Sequence, residues 1–325
     1  MYDVITIGSA TKDAFLVSKE FKVLPDPKSP TGKLECIPFG SKIELDEMVL
    51  TTGGGATNAA ATFGSLGFKT ACITRIGDDD DGKAVLADLK KFKVKTSLVK
   101  IVKGGQTGFG ALLTASNGER SVLVHRGVAG EFTDRSVALS KLKTKWIYMS
   151  SLAGNTALAL RIVKHAAKKG IKVAYNPGSQ ELKKGLATFG PIMRHLTILN
   201  VNLEEAMMLA NSKSRDVKVL AKKILHPGMH LLITDGPRGS YLATEEGIVF
   251  ARTRNVKVIS RTGAGDAFGS GTVCAIMKGS SIEEALKVGT INAESVIQSY
   301  GAKFGILNAW PKESILKQIK VRKLD

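Results

Sequence analysis

Short apolar runs alternate with longer amphipathic stretches along most of the chain. The apolar runs at residues 4–7, 70–76, 145–151 and 230–234 are rich in β-branched residues and have the length of buried strands. Stretches with helical spacing of apolar positions lie between such runs, for example at residues 155–169. Because strands that alternate with helices form parallel sheets, the pattern predicts an α/β protein with a mostly parallel sheet.

Two segments interrupt this alternation. Residues 14–50 contain several prolines between short apolar patches, and residues 96–125 have the pattern of a β-hairpin whose turn carries Asn117 and Gly118. We expect the two segments to form a small β lid, since lids close over ligands and exclude water. The predicted domains are a lid at residues 14–45 and 96–125, and a large α/β domain at residues 1–13, 46–95 and 126–325.

Residues 260–271 predict a turn of small residues that leads into a helix. The β-branched run at 256–259 predicts the end of a preceding strand, and the uncharged run at 267–277 predicts a buried helix. Such a helix start presents backbone N–H groups and a positive dipole end to an anion. Asp266 stands in the first turn, where a carboxylate is unusual for simple phosphate binding. Its presence suits a site at which a proton is removed next to an arriving phosphoryl group.

Two common nucleotide-binding motifs are approximated but not matched. Residues 263–268 nearly fit a dinucleotide-binding fingerprint, but they end in Phe instead of a small residue and lie late in the chain. Residues 77–84 have the glycine and lysine spacing of a P-loop, but they end in Ala and contain four aspartates that would repel phosphates. These aspartates, residues 78–81, are expected to form a turn and the acidic start of a helix at 82–92.

Further polar residues lie at predicted strand ends and helix starts. Asp13 follows the first strand, where it is either a ligand-binding group or a turn residue. The glycines at 53–55 let the backbone approach a ligand closely, and Asn58 either faces that ligand or bonds a helix to the sheet. Asn202 and Glu205 share one helix face, which fits either Mg²⁺ ligands or a capping box. Taken alone, the residues favour the capping box.

Composition narrows the class of protein. The chain has 325 residues, 43% hydrophobic and 23% charged, as is typical of a globular enzyme. No apolar run reaches the roughly 18 residues of a membrane span, and the first strand follows Met1 directly, so we expect a cytoplasmic protein without a membrane segment. The net charge of +18 is dispersed, which favours solubility over nucleic-acid binding, although it attracts anionic nucleotides. Three cysteines without metal-ligand spacing are expected to be reduced.

Four motifs occur in the order known from one enzyme family. Residues 262–268, Thr-Gly-Ala-Gly-Asp-Ala-Phe, are similar to the C-terminal signature of the ribokinase-like carbohydrate kinases of the phosphofructokinase-B type. Three further motifs resemble the same family: residues 53–58 with 75–79 its N-terminal signature, Asn202 with Glu205 its magnesium motif, and residues 234–239 its nucleotide-binding turn. The resemblance extends over residues 2–316 and implies a three-layer α/β/α fold with a mostly parallel sheet and a small β lid.

The resemblance also implies an activity and roles for individual residues. The activity is transfer of the γ-phosphoryl group of ATP to a hydroxyl of a sugar or nucleoside, with Asp266 as the general base. The backbone N–H groups of Gly263, Ala264 and Gly265 would form an anion hole. The other implied roles are Mg²⁺ binding through water for Asn202 and Glu205, acceptor binding for Asp13, Gly54, Gly55 and Asn58, and ATP binding for Thr234, Gly236, Gly239 and Asn292. In several family members the lid also forms a dimer interface, which implies a possible homodimer.

Two pairs of positions depart from the family. Ser260 and Arg261 stand where the family commonly has Asp and Thr. Because that aspartate helps to bind a potassium-like ion in ribokinase-type members, dependence on a monovalent cation is not expected to carry over. Thr11 and Gly55 stand where ribokinase has Asn and Lys in its sugar pocket, so strict ribose specificity is not expected. The small Gly55 is expected to leave room for a larger acceptor.

The leading hypothesis is therefore an ATP-dependent sugar kinase. The first alternative is a nucleoside kinase of the same family with an adenosine-like substrate. A nucleotide-binding regulator without catalysis is the second, and a basic nucleic-acid-binding module is the last. The sequence leaves the identity of the acceptor and the oligomeric state open.

Overall fold

The structure is a computed structural model that describes residues 1–29, 32–115 and 120–324 of the chain. Strands in these ranges are, in chain order, β1 (Tyr2–Ile7), β2 (Thr11–Val17), β3 (Lys22–Pro25), β4 (Lys33–Cys36), β5 (Glu47–Gly53), β6 (Thr70–Ile73), β7 (Arg75–Gly77), β8 (Lys100–Val102), β9 (Gly108–Thr114), β10 (Arg120–His125), β11 (Thr144–Met149), β12 (Lys172–Tyr175), β13 (Ile198–Asn202), β14 (His230–Thr234), β15 (Ser240–Thr244), β16 (Gly247–Ala251) and β17 (Val321–Leu324).

Helices connect most of these strands. The α-helices are α1 (Gly55–Ser65), α2 (Asp80–Lys91), α3 (Thr156–Lys168), α4 (Ser179–Leu182), α5 (Gly185–Met193), α6 (Leu203–Leu209), α7 (Val217–Ile224), α8 (Ala264–Lys278), α9 (Ile282–Val296) and α10 (Glu313–Leu316). Short 3₁₀ turns lie at Gly127–Gly130, Leu139–Lys141 and Gly236–Arg238. No helix in the described ranges is both long enough and apolar enough to cross a membrane.

A nine-stranded sheet forms the centre of the molecule, with the order β17-β16-β15-β14-β13-β12-β11-β1-β6. The strands from β14 to β6 in this order pair in parallel, and β15, β16 and β17 pair antiparallel at one edge. The predicted mostly parallel sheet is confirmed. Because parallel strands end at the same edge, the residues after β1, β11, β13 and β14 lie along one rim of the sheet.

The two faces of this sheet bury two separate apolar cores. Ile5 and Ile7 of β1 pack in the core that contains α3, α5, α6 and α7, whereas Val4 packs in the core that contains α1, α8 and α9. Successive strand residues point to opposite faces, so a short apolar run supplies both cores. The sheet therefore lies between two helix layers, as the predicted α/β/α architecture requires.

A second sheet of four strands has the order β10-β9-β2-β5. It begins at Thr11 and includes Glu47–Gly53, so it extends beyond the predicted lid segments, whereas Lys100–Val102 pairs with β7 outside it. Strands β9 and β10 pair antiparallel, which confirms the predicted hairpin. Its predicted turn, Asn117-Gly118, lies outside the described residues. The division into a large domain and a lid stays a prediction.

The predicted strand at residues 256–259 is wrong. The segment between β16 and α8 is irregular, and it does not belong to the nine-stranded sheet. Instead, the N–H groups of Ile259 and Ser260 both donate to the carbonyl oxygen of Ile297, at 2.8 and 3.1 Å. The side chains of Val256 and Val258 in this segment line a cavity, as described below.

Candidate active site

The first turn of α8 lies at the rim where the parallel strands end. Gly263 precedes the helix with φ 82°, and a Cβ at this position would lie 2.6 Å from the Cα of Ala302. Both the left-handed conformation and the close packing require glycine here. The turn is therefore fixed in position by its packing against the segment that follows α9.

Unpaired backbone N–H groups cluster in this turn. In the part of the chain that the structure describes, the N–H groups of Gly263, Gly265 and Asp266 have no hydrogen-bond partner. The N–H group of Ala264 donates to the carbonyl oxygen of Arg261 at 3.3 Å. Two of the three N–H groups predicted for the anion hole are thus free, the third is occupied, and Asp266 adds one that was not predicted. Free N–H groups at a helix start favour an anion.

Asp266 lies in the same turn with partial access to solvent. Its Oδ2 atom accepts a hydrogen bond from Asn58 Nδ2 at 2.8 Å. Desolvation raises the pKa of the Asp266 carboxyl, and the charge of Asp13 raises it further, while the Asn58 bond and the charge of Lys303 lower it. The net effect is a carboxyl with a raised pKa, which makes it a better proton acceptor than an ordinary aspartate.

Helix α1 brings Asn58 to this carboxylate. Its N-cap, Gly54, has φ 94°, and a Cβ there would lie 2.5 Å from the carbonyl oxygen of Ser9. Gly55 donates its N–H to Ser9 Oγ at 3.2 Å. The Oδ1 atom of Asn58 is buried and has no hydrogen-bond partner among the described residues. A buried amide oxygen without a partner is available to a ligand hydroxyl.

The expected room at Gly55 is absent. A Cβ on Gly55 would lie 2.7 Å from the Cβ of Ser150 and 3.4 Å from Asp266 Oδ1. The space beside this glycine is therefore filled by protein atoms, and the small residue is required by packing. The sequence argument that Gly55 admits a larger acceptor is wrong for this reason.

Asp13 lies within β2 and is not a turn residue. Its carboxylate is bordered by glycines on both neighbouring strands: a Cβ at Gly53 would overlap Oδ2, and one at Gly110 would lie 3.0 Å from Oδ1. Thr11 Oγ1 donates to Asp13 Oδ1 at 2.9 Å. Burial raises the pKa of Asp13, and the Thr11 bond, Lys303 and Lys12 lower it. The two glycines keep side chains away from a polar group that faces the site.

Asn202 and Glu205 form a complete capping box at the start of α6. Asn202 Oδ1 accepts from the N–H of Glu205 at 2.8 Å, and Glu205 Oε2 accepts from the N–H of Asn202 at 2.9 Å. The capping-box interpretation is confirmed. Burial raises the pKa of Glu205, and the charges of Asp266 and Glu204 raise it further, while the Asn202 bond lowers it. No ion pair of Glu205 exists within the described ranges, so its charge is left without a cation.

A cavity of about 470 Å³ adjoins the first turn of α8. Three of the predicted ATP-binding residues, Thr234, Gly236 and Gly239, line it, and so do Ala264 and Gly265 of α8. The remaining wall is largely apolar and includes Val256, Val258, Phe268, Ala293 and Ile297. The volume and lining are typical of a site for a small ligand.

The assignment of Asn292 to ATP binding is wrong. Asn292 is fully buried, its Nδ2 donates to the carbonyl oxygen of Ala267 at 2.7 Å, and its Oδ1 accepts from the N–H of Leu307 at 2.9 Å. It ties α9 to α8 and to the segment after α9. Its helix does border the cavity, but through Thr290, Ala293 and Glu294.

The acidic segment after β7 behaves as predicted. Asp79 is the N-cap of α2 and accepts from the N–H of Gly82 at 2.8 Å. The same carboxylate also accepts from the hydroxyl and the N–H of Thr107, at 2.6 and 2.7 Å. The predicted turn and acidic helix start are therefore confirmed.

Lys303 and Asp88 were missed by the sequence analysis. Lys303 Nζ lies 3.4 Å from Asp88 Oδ2 and acts electrostatically on both Asp13 and Asp266. The available signal was a lysine within an otherwise uncharged segment, residues 299–311, but nothing local indicated its burial.

The three-layer fold, with a carboxylate beside an anion site and a ligand cavity at the rim of the sheet, defines a phosphotransferase of the ribokinase-like class. Comparison with known families agrees: the model of the pfkB family carbohydrate kinases matches residues 5–309, and the chain belongs to this family. It is accordingly an ATP-dependent carbohydrate kinase.

Individual relatives show how far the similarity extends. An uncharacterized sugar kinase of Archaeoglobus fulgidus is 29% identical over 244 residues, which cover 74% of this chain and 96% of the relative. A ribokinase of Bacillus subtilis is 25% identical over 309 residues, covering 94% and 96%. Among solved structures, the nucleoside kinase of Methanocaldococcus jannaschii and the ribokinase of Arabidopsis thaliana complexed with ribose and ATP both have a TM-score of 0.77. Each covers 98% of both chains, at 19% and 20% identity, and these two structures support the fold alone.

Proposed function

We propose that this kinase phosphorylates a hydroxyl group of a sugar and that Asp266 is its general base. The observation that carries the proposal is the position of the Asp266 carboxylate. It lies in the same helical turn as the free N–H groups of Gly263 and Gly265, and Asn58 holds one of its oxygens. A base beside an anion site is what proton removal during phosphoryl transfer requires.

The geometry supports separate roles in the transfer step for the two carboxylate oxygens of Asp266 and for the free N–H groups. Because Asn58 occupies Oδ2, the Oδ1 atom of Asp266 takes the proton from the acceptor hydroxyl. The hydroxyl oxygen then bonds to the γ-phosphorus of ATP, and the bond from that phosphorus to the β–γ bridging oxygen breaks, which releases ADP. The free N–H groups of Gly263, Gly265 and Asp266 offset the negative charge on the transferred group.

Asp13 and Asn58 are proposed to orient the acceptor. The Asp13 carboxylate and the unpaired Oδ1 of Asn58 are hydrogen-bond acceptors, and sugar hydroxyls are donors. Gly54 and Gly55 bring the backbone close to the same place. Fixing the acceptor in this way contributes to rate because it places the reacting oxygen before transfer.

ATP is proposed to occupy the cavity between β14 and α8. The apolar lining of the cavity suits the adenine base. The free N–H of Gly265, which also lines the cavity, is proposed to bind the phosphates. Arg261 also lines this cavity and supplies a positive charge. Thr234, Gly236 and Gly239 line the same cavity.

Asn202 and Glu205 fit a Mg²⁺ ion that enters with ATP. Glu205 is a partly buried carboxylate without a cation partner in the described chain, and Mg²⁺ prefers carboxylate and amide oxygens with several waters retained. The side chains of both residues make only the capping-box hydrogen bonds among the described residues, so Glu205 Oε1 is available as a metal ligand. When bound, the ion would offset charge on the phosphates.

We propose that turnover needs no monovalent cation. Ser260 is neutral and 5% exposed, and its Oγ accepts from the N–H of Thr262 at 3.3 Å. A hydroxyl already engaged in a local turn is a weaker cation ligand than a carboxylate. Assays in potassium and in tetramethylammonium salts should therefore give similar rates, and strong activation by potassium would contradict this point.

A substrate panel tests the proposed function. Release of ADP from Mg-ATP is measured with pentoses, hexoses, hexose phosphates and nucleosides as acceptors. Turnover of at least one sugar is expected. Turnover of nucleosides without any sugar would replace the proposal by a nucleoside kinase, and ATP binding without turnover of any acceptor would replace it by a regulatory role.

The second sheet is proposed to form a homodimer interface. Leu50 on β5 and Leu123 on β10 are exposed, and they lie in one row across this sheet, on the same face. Met48 is exposed on that face too, and Asp13 lies on the other face. An exposed apolar sheet face favours association with a partner. A second copy of the chain is the proposed occupant.

A further inference from the structure

Lys303 is a buried lysine at the base of the phosphotransfer site. It is 5% exposed, although it lies in the irregular segment after α9. Its neighbour Ala302 packs against Gly263 at the start of α8, and a Cβ on Gly301 would lie 3.2 Å from Thr51 Oγ1. The segment therefore fills the space between β5 and the anion site.

A closed set of contacts fixes the ammonium group. Lys303 Nζ donates to Thr52 Oγ1 at 2.6 Å and lies 3.4 Å from Asp88 Oδ2. Thr52 Oγ1 in turn donates to the same Asp88 oxygen at 2.5 Å. Thr52 is followed on β5 by Gly53, where a Cβ would overlap the Asp13 carboxylate. The positive charge is thus held next to the acceptor side of the site.

Negative groups outnumber positive ones around this ammonium. The titratable groups that face it come from four elements: Asp13 of β2, Cys72 of β6, Asp88 of α2 and Asp266 of α8. Lys12 also acts on Asp13, but Lys303 is the cation that acts on both Asp13 and Asp266. Two carboxylates in one desolvated site disfavour each other's ionised form, so a nearby cation is needed to keep both charged.

We propose that Lys303 is a positioning residue of the kinase, whose fixed buried charge keeps the carboxylates of Asp13 and Asp266 ionised for catalysis. A buried ion pair is a poor source of stability compared with an apolar side chain of similar size, which argues for a role of the charge itself. Burial lowers the pKa of Lys303, but Asp88 and Asp13 raise it and so favour the charged form.

The test compares neutral and charged replacements of Lys303 by their pH–rate profiles. K303Q keeps a hydrogen-bonding group near Thr52, K303M is apolar, and K303R keeps the charge. Thr52→Val is the matched control, because it disturbs the same contacts without changing any charge. The readout is kcat/KM for the acceptor identified in the substrate panel, measured from pH 5 to 9 on the full chain.

The acidic limb of the profile is expected to move to higher pH by about one unit in K303Q and K303M. It should stay in place in K303R and T52V, whatever their loss in rate. The proposal is overturned if the neutral variants lose rate without any shift of the limb, or if T52V shifts it equally. It is also overturned if K303Q and K303M are not folded, as judged by the absence of a cooperative unfolding transition, while K303R is folded. The charge of Lys303 would then be needed for the fold.

The inference rests on the proposed role of Asp266, and one further variant separates the two. D266N is measured alongside. If D266N keeps the kcat/KM of the parent protein, the base assignment fails. If D266N loses rate but the acidic limb does not move in K303Q, the base assignment stands and the inference about Lys303 alone fails.

Discussion

Asp266 and Asn58 are 208 residues apart in the chain, and a hydrogen bond of 2.8 Å joins them. The bond orients one carboxylate oxygen, and the other is the one proposed to face the acceptor. Around this pair, Asp13 raises the proton affinity of Asp266 and Lys303 lowers it. At the scale of single residues, the pKa of Asp266 is therefore set by desolvation together with a small number of nearby charges.

Replacing Asp266 by Asn tests its role as base. The amide keeps the size of the side chain but cannot accept the proton, so kcat/KM should fall by about 10² to 10⁴-fold. Steady-state release of ADP measures the loss, and ATP affinity is measured separately by calorimetry. The control is Asp80→Asn, which removes an exposed carboxylate in the first turn of α2. Equal activity of D266N and D80N would exclude the proposed role.

The pH profile follows from the raised pKa of Asp266. The base must be ionised, so kcat/KM should decline as the pH falls through a value above the ordinary aspartate pKa of about 3.9. Because the pKa of Asp266 is higher in the folded than in the unfolded state, protonation of this group stabilises the fold, and that stability is lost as pH rises. Protonation of Asp266 therefore does not unfold the protein, and unfolding by this route does not explain the decline of kcat/KM at low pH. A rate that stays constant down to pH 4, in folded protein, would contradict the assignment.

At the scale of elements, the start of α8 carries the site because it is packed on several sides. The helix lies between α1 and α9, and a Cβ on Gly269 would lie 2.6 Å from the hydroxyl of Tyr148 on β11. Its N-cap packs on Ala302. Such close packing holds the free N–H groups in place without reorganisation, which is the condition for electrostatic stabilisation of a transition state.

Two glycines in this turn give a matched test. Gly263→Ala forces a side chain into a left-handed conformation and against Ala302, so it should lower the free energy of unfolding by about 1 to 3 kcal/mol. Gly265→Ala adds a Cβ with no atom within 4 Å and favours the helix, so it should not destabilise. Chemical denaturation measures both variants. Equal stability of the two would show that the turn is not constrained as described.

At the scale of the whole molecule, the second sheet has one face on the site and one exposed apolar face. Asp13 and Phe15 lie on the first face, and Phe15 is fully buried. Leu50 and Leu123 lie on the other. The same small sheet is therefore proposed to border the acceptor with one face and to associate with a second chain through the other.

The dimer proposal predicts a change in mass. Leu50→Lys places a charge on the exposed face, where Leu50 is 53% exposed, and should convert a dimer to a monomer in sedimentation velocity experiments. Ile101→Lys is the control, because Ile101 is similarly exposed at 50% but belongs to β8, outside this sheet. A parent protein that sediments as a monomer at micromolar concentration would contradict the proposal.

Much of the fold was predictable because its signals are local. The alternation of short β-branched runs with amphipathic stretches follows from the periods of strands and helices, and the structure confirms the parallel sheet and its helix layers. The same holds for the uncharged run at residues 267–277, which lies within α8, and for the aspartates that begin α2. The run at 256–259 was misassigned because a strand also needs a neighbouring strand to pair with, which no local pattern reports, and Ile259 bonds instead to Ile297.

The sequence by itself determined the order of the elements, the turn before α8 and the presence of Asp266 in it, since these depend on neighbours along the chain. Only the tertiary structure decided which polar residues meet. In the folded chain Asn58 donates a hydrogen bond to Asp266, Asn292 is buried between α8 and α9, and Lys303 is buried beside Asp88. The physical reason is that burial and charge pairing depend on distances between remote segments, and these distances are fixed only when the helix layers pack on the sheet.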